Sequence, residues 1–213
     1  LLARTEVTQG QFQQVMNQAP WQGMPGVWAG SQAAQYGANY IDWVGAVGFC
    51  DRLGWRLPSE AEWEYACRAG TGTLYHFGGS STSLGSYGWY WSNTGGTGRA
   101  YPHQAGAKLA NAFGLFDMHG NLREWCLDGW QANYGGVPVN GTAREGGITS
   151  FRVIRGGSWL DRAADCRSAR RCLNPPTTAD HQSGFRPALS LPGGVAGLVK
   201  RIVDAYEKAE REA

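Results

Sequence analysis

Residues 56–70, "RLPSEAEWEYACRAG", set the reading of the whole chain. Ser59 and Glu62 stand at capping-box spacing, where the hydroxyl accepts from the third backbone N–H and the carboxylate reaches back to the cap. Glu60 and Glu62 then lie at the positive end of a helix, Arg68 at its negative end, and Gly70 closes it. Trp63, Ala66 and Cys67 share a face, which makes that face the buried one. Upstream, "IDWVGAVGFCDRLG" (41–54) predicts a second helix. Asp42 caps it, Trp43, Ala46, Val47, Cys50 and Leu53 repeat at helical spacing, and Gly54 suits a left-handed C-cap. Cys50 and Cys67 therefore read as small buried hydrophobes rather than ligands. "EVTQGQFQQVM" (6–16) reads as a short strand leading into a short helix, with Phe12, Val15 and Met16 on one side.

Beyond Gly70 the helical period is lost. As far as Lys108 the chain is Gly, Ser, Thr, Tyr and Trp, and it reads as long loops pinned by aromatics. "NAFGLFDMHGNLREWCLDGW" (111–130) alternates apolar and polar residues and predicts short strands around a turn at Gly120-Asn121. "FRVIRGGSW" (151–159), "CRSARR" (166–171) and "GFRPAL" (184–189) read as further strand segments, the glycine pair marking a bulge or a close backbone approach. Two helices followed by scattered short strands give an α+β domain over residues 1–191. Residues 192–213 are an extension of another kind. After a Pro-Gly-Gly joint, Val195, Leu198, Val199, Ile202, Val203 and Tyr206 form the apolar stripe of an amphipathic helix.

Composition narrows the function. A chain of 213 residues with 17% charged residues, 10 Trp, 9 Tyr and 32 Gly is a loop-rich globular domain with large aromatic anchors. A net charge of +2 without a basic run lacks the footprint of a nucleic-acid binder. No apolar stretch approaches the roughly 18 residues of a membrane span. The 5 cysteines include no C-x-x-C and the 4 histidines no H-x-x-x-H, which argues against structural zinc, and no Ser-His-Asp or phosphate-loop pattern is present. The 16 Arg against 3 Lys fit a GC-rich genome and a hot habitat, hence a thermostable chain. With no initial Met and no signal-peptide layout, the compartment is not legible.

Five segments, "RTEVTQGQFQQVM", "RLPSEAEWEYACRAG", "GLFDMHGNLREW", "RVIRGGSW" and "GFRPAL", occur in an order that resembles the formylglycine-generating-enzyme (sulfatase-modifying-factor) superfamily across residues 4–189. The resemblance implies a C-type-lectin-like fold: two helices flanking a small twisted antiparallel sheet, with long loops presenting the binding surface. It also implies a choice among three functional classes. One is a copper-dependent oxidase that uses a cysteine pair at C-x-x-x-x-C spacing. The second is an accessory binding domain in larger bacterial proteins. The third is the variable protein of a diversity-generating retroelement, bacterial or carried by a prophage, whose adenine-templated codons are rewritten near the C-terminal end.

Counted from Gly156-Gly157, the family's first cysteine falls on Cys166. Counted back from Gly184-Phe185-Arg186, its second falls on Ser168, and Cys172 stands one residue out of that spacing. No catalytic, metal or cofactor residue is therefore expected. For the variable-protein class, "RVIRGGSW", "CRSA", Arg171, Pro176 and "GFR" read as scaffold within a variable region near 152–186. Leu160, Asp161, Arg162, Asp165, Arg170, Cys172, Leu173, Thr177, Thr178, Asp180 and His181 read as variable, ligand-binding positions. An Asn codon randomised at its adenines never yields Lys, Glu, Gln, Met or Trp, and residues 160–181 contain none of these types. Composition alone gives such a gap roughly one time in fifty.

The expectation is a diversified ligand-binding protein without chemistry of its own. Its arginines and leucines suit a protein ligand that changes with the variable residues, and it needs neither nucleic acid nor a membrane span. A non-diversified accessory domain is the alternative, and the oxidase comes third. The variable positions, apart from the two threonines, should project to solvent from one contiguous face, with Trp159, Ala169 and Phe185 buried beneath. Asn121 and Glu124 match positions near which family members hold calcium, but read here as a turn Asn and a salt-bridged Glu. "NGT" at Asn140 fits the glycosylation pattern without any other mark of a secreted eukaryotic chain.

Overall fold

The computed structural model describes residues 1–94, 100–136, 138–144 and 151–191. Three helices open the chain: α1 (Gln9–Met16), α2 (Trp43–Arg52) and α3 (Glu60–Arg68). Each begins at a side chain that satisfies one of the first free backbone donors. Thr8 and Gln11 form a capping box at α1, Asp42 accepts from the Gly45 N–H at 2.7 Å at α2, and Ser59 with Glu62 forms the expected box at α3. The last of these helices turns out of its axis through Ala69 (φ 46°), one residue before Gly70.

The segment read as loop from 70 to 108 holds two one-turn helices, α4 (Leu84–Tyr87) and α5 (Trp91–Thr94). Aromatic stacking fixes it, Phe77 on Tyr87 at 4.6 Å and Trp89 on His103 at 3.9 Å.

Among the described residues four short strands make one sheet: β1 (Arg123–Gly129), β2 (Arg152–Arg155), β3 (Cys172–Asn174) and β4 (Ser183–Gly184), in the order β3-β2-β1-β4. β1–β2 and β2–β3 are antiparallel, whereas β4 runs parallel to β1, which corrects the purely antiparallel expectation. After β3 the chain crosses the start of α2, where the Trp43 N–H donates to the Pro176 carbonyl and the Tyr40 N–H to that of Asp180. It then enters beside β1 from the same end.

The short strand expected ahead of α1 is reduced to an isolated bridge between Thr8 and Gly37, "GFRPAL" gives β4 only its Gly184, and two further predicted strands are absent. At 111–115 the Asn111 side chain accepts from the N–H groups of Phe113 and Leu115, and this local turn replaces a ladder. "CRSARR" begins at the end of a 3₁₀ turn (Ala163–Cys166) and makes a second turn at Arg167–Arg170, so pairing starts only at Cys172. Gly157 makes that path possible, since a Cβ there would sit 2.7 Å from the Cys166 sulfur.

Neighbouring strand residues face opposite sides, as the pleat requires. Trp125 and Ile154 pack with Phe12, Phe49 and Phe185 beneath α1 and α2, while Cys126 and Val153 pack with Trp63, Cys67 and Met118 beneath α3. Phe49 stacks on Phe12 at 5.7 Å and meets Phe185 edge-on at 5.2 Å. Burying each such apolar side chain stabilises the fold by roughly 1.5–3 kcal/mol. The amphipathic extension expected at 192–213 lies outside the described residues.

Candidate functional site

Residues 158–186 contain two kinds of position. The first kind is tied into the core by charge. Arg186 is fully buried, and its guanidinium forks onto Glu124, itself fully buried, with both N···O distances 2.6 Å. Its remaining N–H groups reach the carbonyls of Ala3, Arg4 and Phe116, and Trp63 Nε1 donates to Glu124 at 2.7 Å. Both charges are thus paired and hydrogen-bonded, the condition under which burial is tolerated. Arg171 forks onto Glu60 at 2.5 and 2.7 Å, donates to the Gln131 carbonyl and stacks over Trp130 and Tyr134. Arg155, on β2, reaches Glu64 and the carbonyl of Arg170. Trp159 (3% exposed) donates through its indole to the His181 carbonyl, and Ser158 donates to Gln182, so the two ends of the stretch are cross-tied.

The second kind lies between these ties. Leu160, Arg162, Arg170, Leu173 and Thr177 are exposed. Thr178 is half-buried, and of the nine positions expected to project to solvent Asp161, Asp165, Cys172, Asp180 and His181 are half-buried too, which corrects that expectation. Each shortfall has a cause. Cys172 opens β3 opposite Ile154 and packs against the core, the Asp180 carboxylate accepts from the Gln182 N–H, and the His181 ring leans on Tyr40 and Trp159. Asp165 pairs with Arg170 at 3.1 Å on the surface, where such a pair contributes little.

Asp161 belongs with the ties. It accepts a forked pair from Arg123 at 2.8 and 2.5 Å and further bonds from the N–H and hydroxyl of Ser158. Ala169, expected inside, is exposed, while Ser168 beside it is fully buried. The Ser168 N–H donates to the Leu74 carbonyl, and the Arg167–Arg170 turn aims Ala169 outward. The residues sequence reasoning missed, Arg123 and the α5 turn, lie 38 and 70 positions before Asp161. No periodicity links them to it.

The donor set does not fit the oxidase's copper. Cys166 is fully buried and burial pushes its thiol up, while the family's second cysteine position carries the Ser168 hydroxyl, a poor ligand for a soft metal. The cysteines of the chain are free. Calcium fits no better at Asn121 and Glu124. The Asn121 amide bridges Glu6 at 2.5 Å and the His103 N–H at 2.7 Å, and both Glu124 oxygens are taken by Arg186. Among the described residues no group of three or more His, Cys, Asp or Glu could hold a metal ion, and no helix is long and apolar enough to cross a membrane.

A model of the sulfatase-modifying factor enzyme 1-like domain matches residues 1–191. The chain is 35% identical over 162 residues to the formylglycine-generating enzyme of Mus musculus, covering 70% of this chain and 43% of that enzyme. It is 32% identical over 153 residues to the serine/threonine-protein kinase pkn1 of Chlamydia pneumoniae, covering 71% of this chain and 23% of that protein. It therefore spans less than half the length of either curated relative. Among solved structures, variable protein 1 of Treponema denticola superposes with a TM-score of 0.78 at 27% identity, covering 88% of this chain and 83% of that one.

Proposed function

This chain belongs to the sulfatase-modifying factor enzyme 1-like family, and we propose that it is a non-catalytic, ligand-binding member of it. In this reading residues 158–186 display exchangeable side chains on a fixed, C-type-lectin-like frame, as the variable protein of a diversity-generating retroelement does. The observation that carries it is the split within that stretch. Arg171 and Arg186 are locked to glutamates more than 60 positions away, while Leu160, Arg162, Arg170, Leu173 and Thr177 stand in solvent. Exposed positions of this kind change stability by within about ±0.5 kcal/mol on substitution, so their identity is free to vary. Holding the backbone still beneath them lowers the entropy lost when a partner binds.

Two further points support the binder over the oxidase. The chain has Ser168 where the oxidase needs its second thiol, and the Cys166 thiol, raised by burial, is held in the neutral form rather than as the reactive thiolate. The likeness to a variable protein covers most of both chains. An accessory binding domain is the second reading, favoured by the likeness to a much longer kinase. A near-copy of the 3′ coding region differing at adenines, beside a reverse-transcriptase gene, separates the two.

The binding reading is tested by randomising Leu160, Arg162, Arg170, Leu173 and Thr177 in the full chain, displaying the library and selecting against lysozyme as a model protein ligand. Most members are expected to fold, and specific binders to emerge. A library that folds but gives no binder after exhaustive selection contradicts a displayed protein-binding face.

A further inference from the structure

Three tryptophans, Trp89, Trp91 and Trp159, lie on segments that backbone hydrogen bonds tie together, the 158–162 turn to the loop at 88–94 and both to Asn121. Two are used by the fold: Trp159 is 3% exposed, and Trp89 lies under Lys108 at 3.8 Å and against His103. Trp91 is 52% exposed, and its ring stacks on no other ring among the described residues. Its backbone, by contrast, is held at several points. The Trp91 N–H donates to the Asp161 carbonyl at 2.9 Å, and the fully buried Thr94 hydroxyl donates to the Trp159 carbonyl at 2.5 Å. Asn93 closes the same turn through its side chain, accepting from the Tyr90 N–H and donating to the Gly88 carbonyl.

The loop carrying Trp91 is also pressed onto the 119–121 turn. A Cβ at Gly88 would sit 1.8 Å from the His119 carbonyl oxygen, and one at Gly120 would sit 2.2 Å from that of Trp89. The Asn121 N–H donates to the Trp89 carbonyl, and the Asn121 carbonyl accepts from the Trp159 N–H. A large apolar side chain at the surface is thus mounted on a multiply hydrogen-bonded backbone, bonded to Asp161 between the exposed Leu160 and Arg162.

We propose that Trp91 is a constant aromatic anchor of the ligand-binding face: a fixed contact from outside the variable stretch that meets apolar surface on a protein ligand whichever residues stand at 160–177. The proposal rests on the binding reading above. Its physical content is that a tryptophan on a rigid backbone contributes large contact area while losing little freedom, which is why this residue dominates protein interfaces. The neighbouring variable side chains then tune specificity around one invariant contact.

The test uses the lysozyme binders from the full-chain library. Trp91→Ala is expected to weaken most clones by about thirtyfold or more, the loss typical of an aromatic hot spot. Trp91→Tyr should restore most of the affinity, and Leu109→Ala, at another exposed apolar residue, should leave binding unchanged. Melting temperatures of the free variants should match the parent, so that lost binding is not lost folding. Clones that keep their affinity within about twofold after Trp91→Ala overturn the anchor while leaving the binding reading intact. A folded library that gives no binders removes both together.

Discussion

Arg162 and Arg186 lie 24 positions apart in one stretch of chain and have opposite roles. Arg186 has no exposed surface, and its N–H groups end on Glu124 and on the carbonyls of Ala3, Arg4 and Phe116. Arg162 is exposed, and its backbone starts a 3₁₀ turn rather than a strand. The same side chain is tied into the core in one place and, on the proposed reading, exchangeable in the other. What separates them is whether a second, distant residue is buried along with it. That lesson assigns the stretch position by position: a residue is frame when removing it strands a buried partner, and filling when it does not.

The sharpest way to break the comparison is to remove Arg186 alone. Arg186→Met leaves the Glu124 carboxylate buried without its partner and should cost about 3–5 kcal/mol in urea unfolding. Adding Glu124→Leu should recover most of the loss, because the stranded charge rather than the missing attraction is the cost. No recovery in the double variant would mean that the pair stabilises the fold directly.

A smaller effect follows from His119, which supports the frame by hydrogen-bonding the Cys166 carbonyl at 2.7 Å and the His76 ring at 2.9 Å. Burial lowers its pKa to about 3, below the unfolded value of about 6.5. The stability this neutral ring contributes is present above pH 6.5 and is lost as pH falls from there toward 3, because the unfolded chain takes up the proton first. Between pH 7 and pH 5 this ring's share of the loss should be about 2 kcal/mol, and His119→Gln should make the fall shallower by that share while His76, lowered by burial to about 4, keeps its own. An unfolding midpoint in that variant that falls as steeply as in the parent would remove His119 from the frame.

Asp161 sharpens the boundary between the two classes. The sequence places it among the exchangeable residues, yet it pins Arg123 and Ser158. Asp161→Ala should cost about 1–2 kcal/mol, between the loss for a buried strut and the near-zero change for an exposed position. A melting temperature equal to the parent's would return Asp161 to the filling.

Much of this was legible in the sequence where the cause is local. The caps at Asp42 and Ser59, the buried helix faces with Cys50 and Cys67, and the roles of Arg171 and Arg186 as scaffold all follow from spacing or motif. Spacing shows Glu60 as a charge facing a helix end, and only the fold shows that it also receives Arg171. The strand expected at 111–115 was lost to a local Asn111 turn, while the misreadings in the site come from distant contacts. "CRSARR" looks like a strand by alternation, but Gly157 admits a turn there, and the turn puts Ser168 inside and Ala169 outside. The α5 turn and Arg123 were invisible as parts of the site because their links to Asp161 run between segments far apart in the chain.

The most direct test of the division is saturation mutagenesis of residues 158–186 in the full chain, scored for folding at every position. The account predicts near-complete tolerance at Leu160, Arg162, Arg170, Leu173 and Thr177. It predicts partial tolerance at Asp161, Cys172 and His181, and almost none at Trp159, Arg171, Phe185 and Arg186. A profile in which the exposed five are as restricted as these four would contradict it.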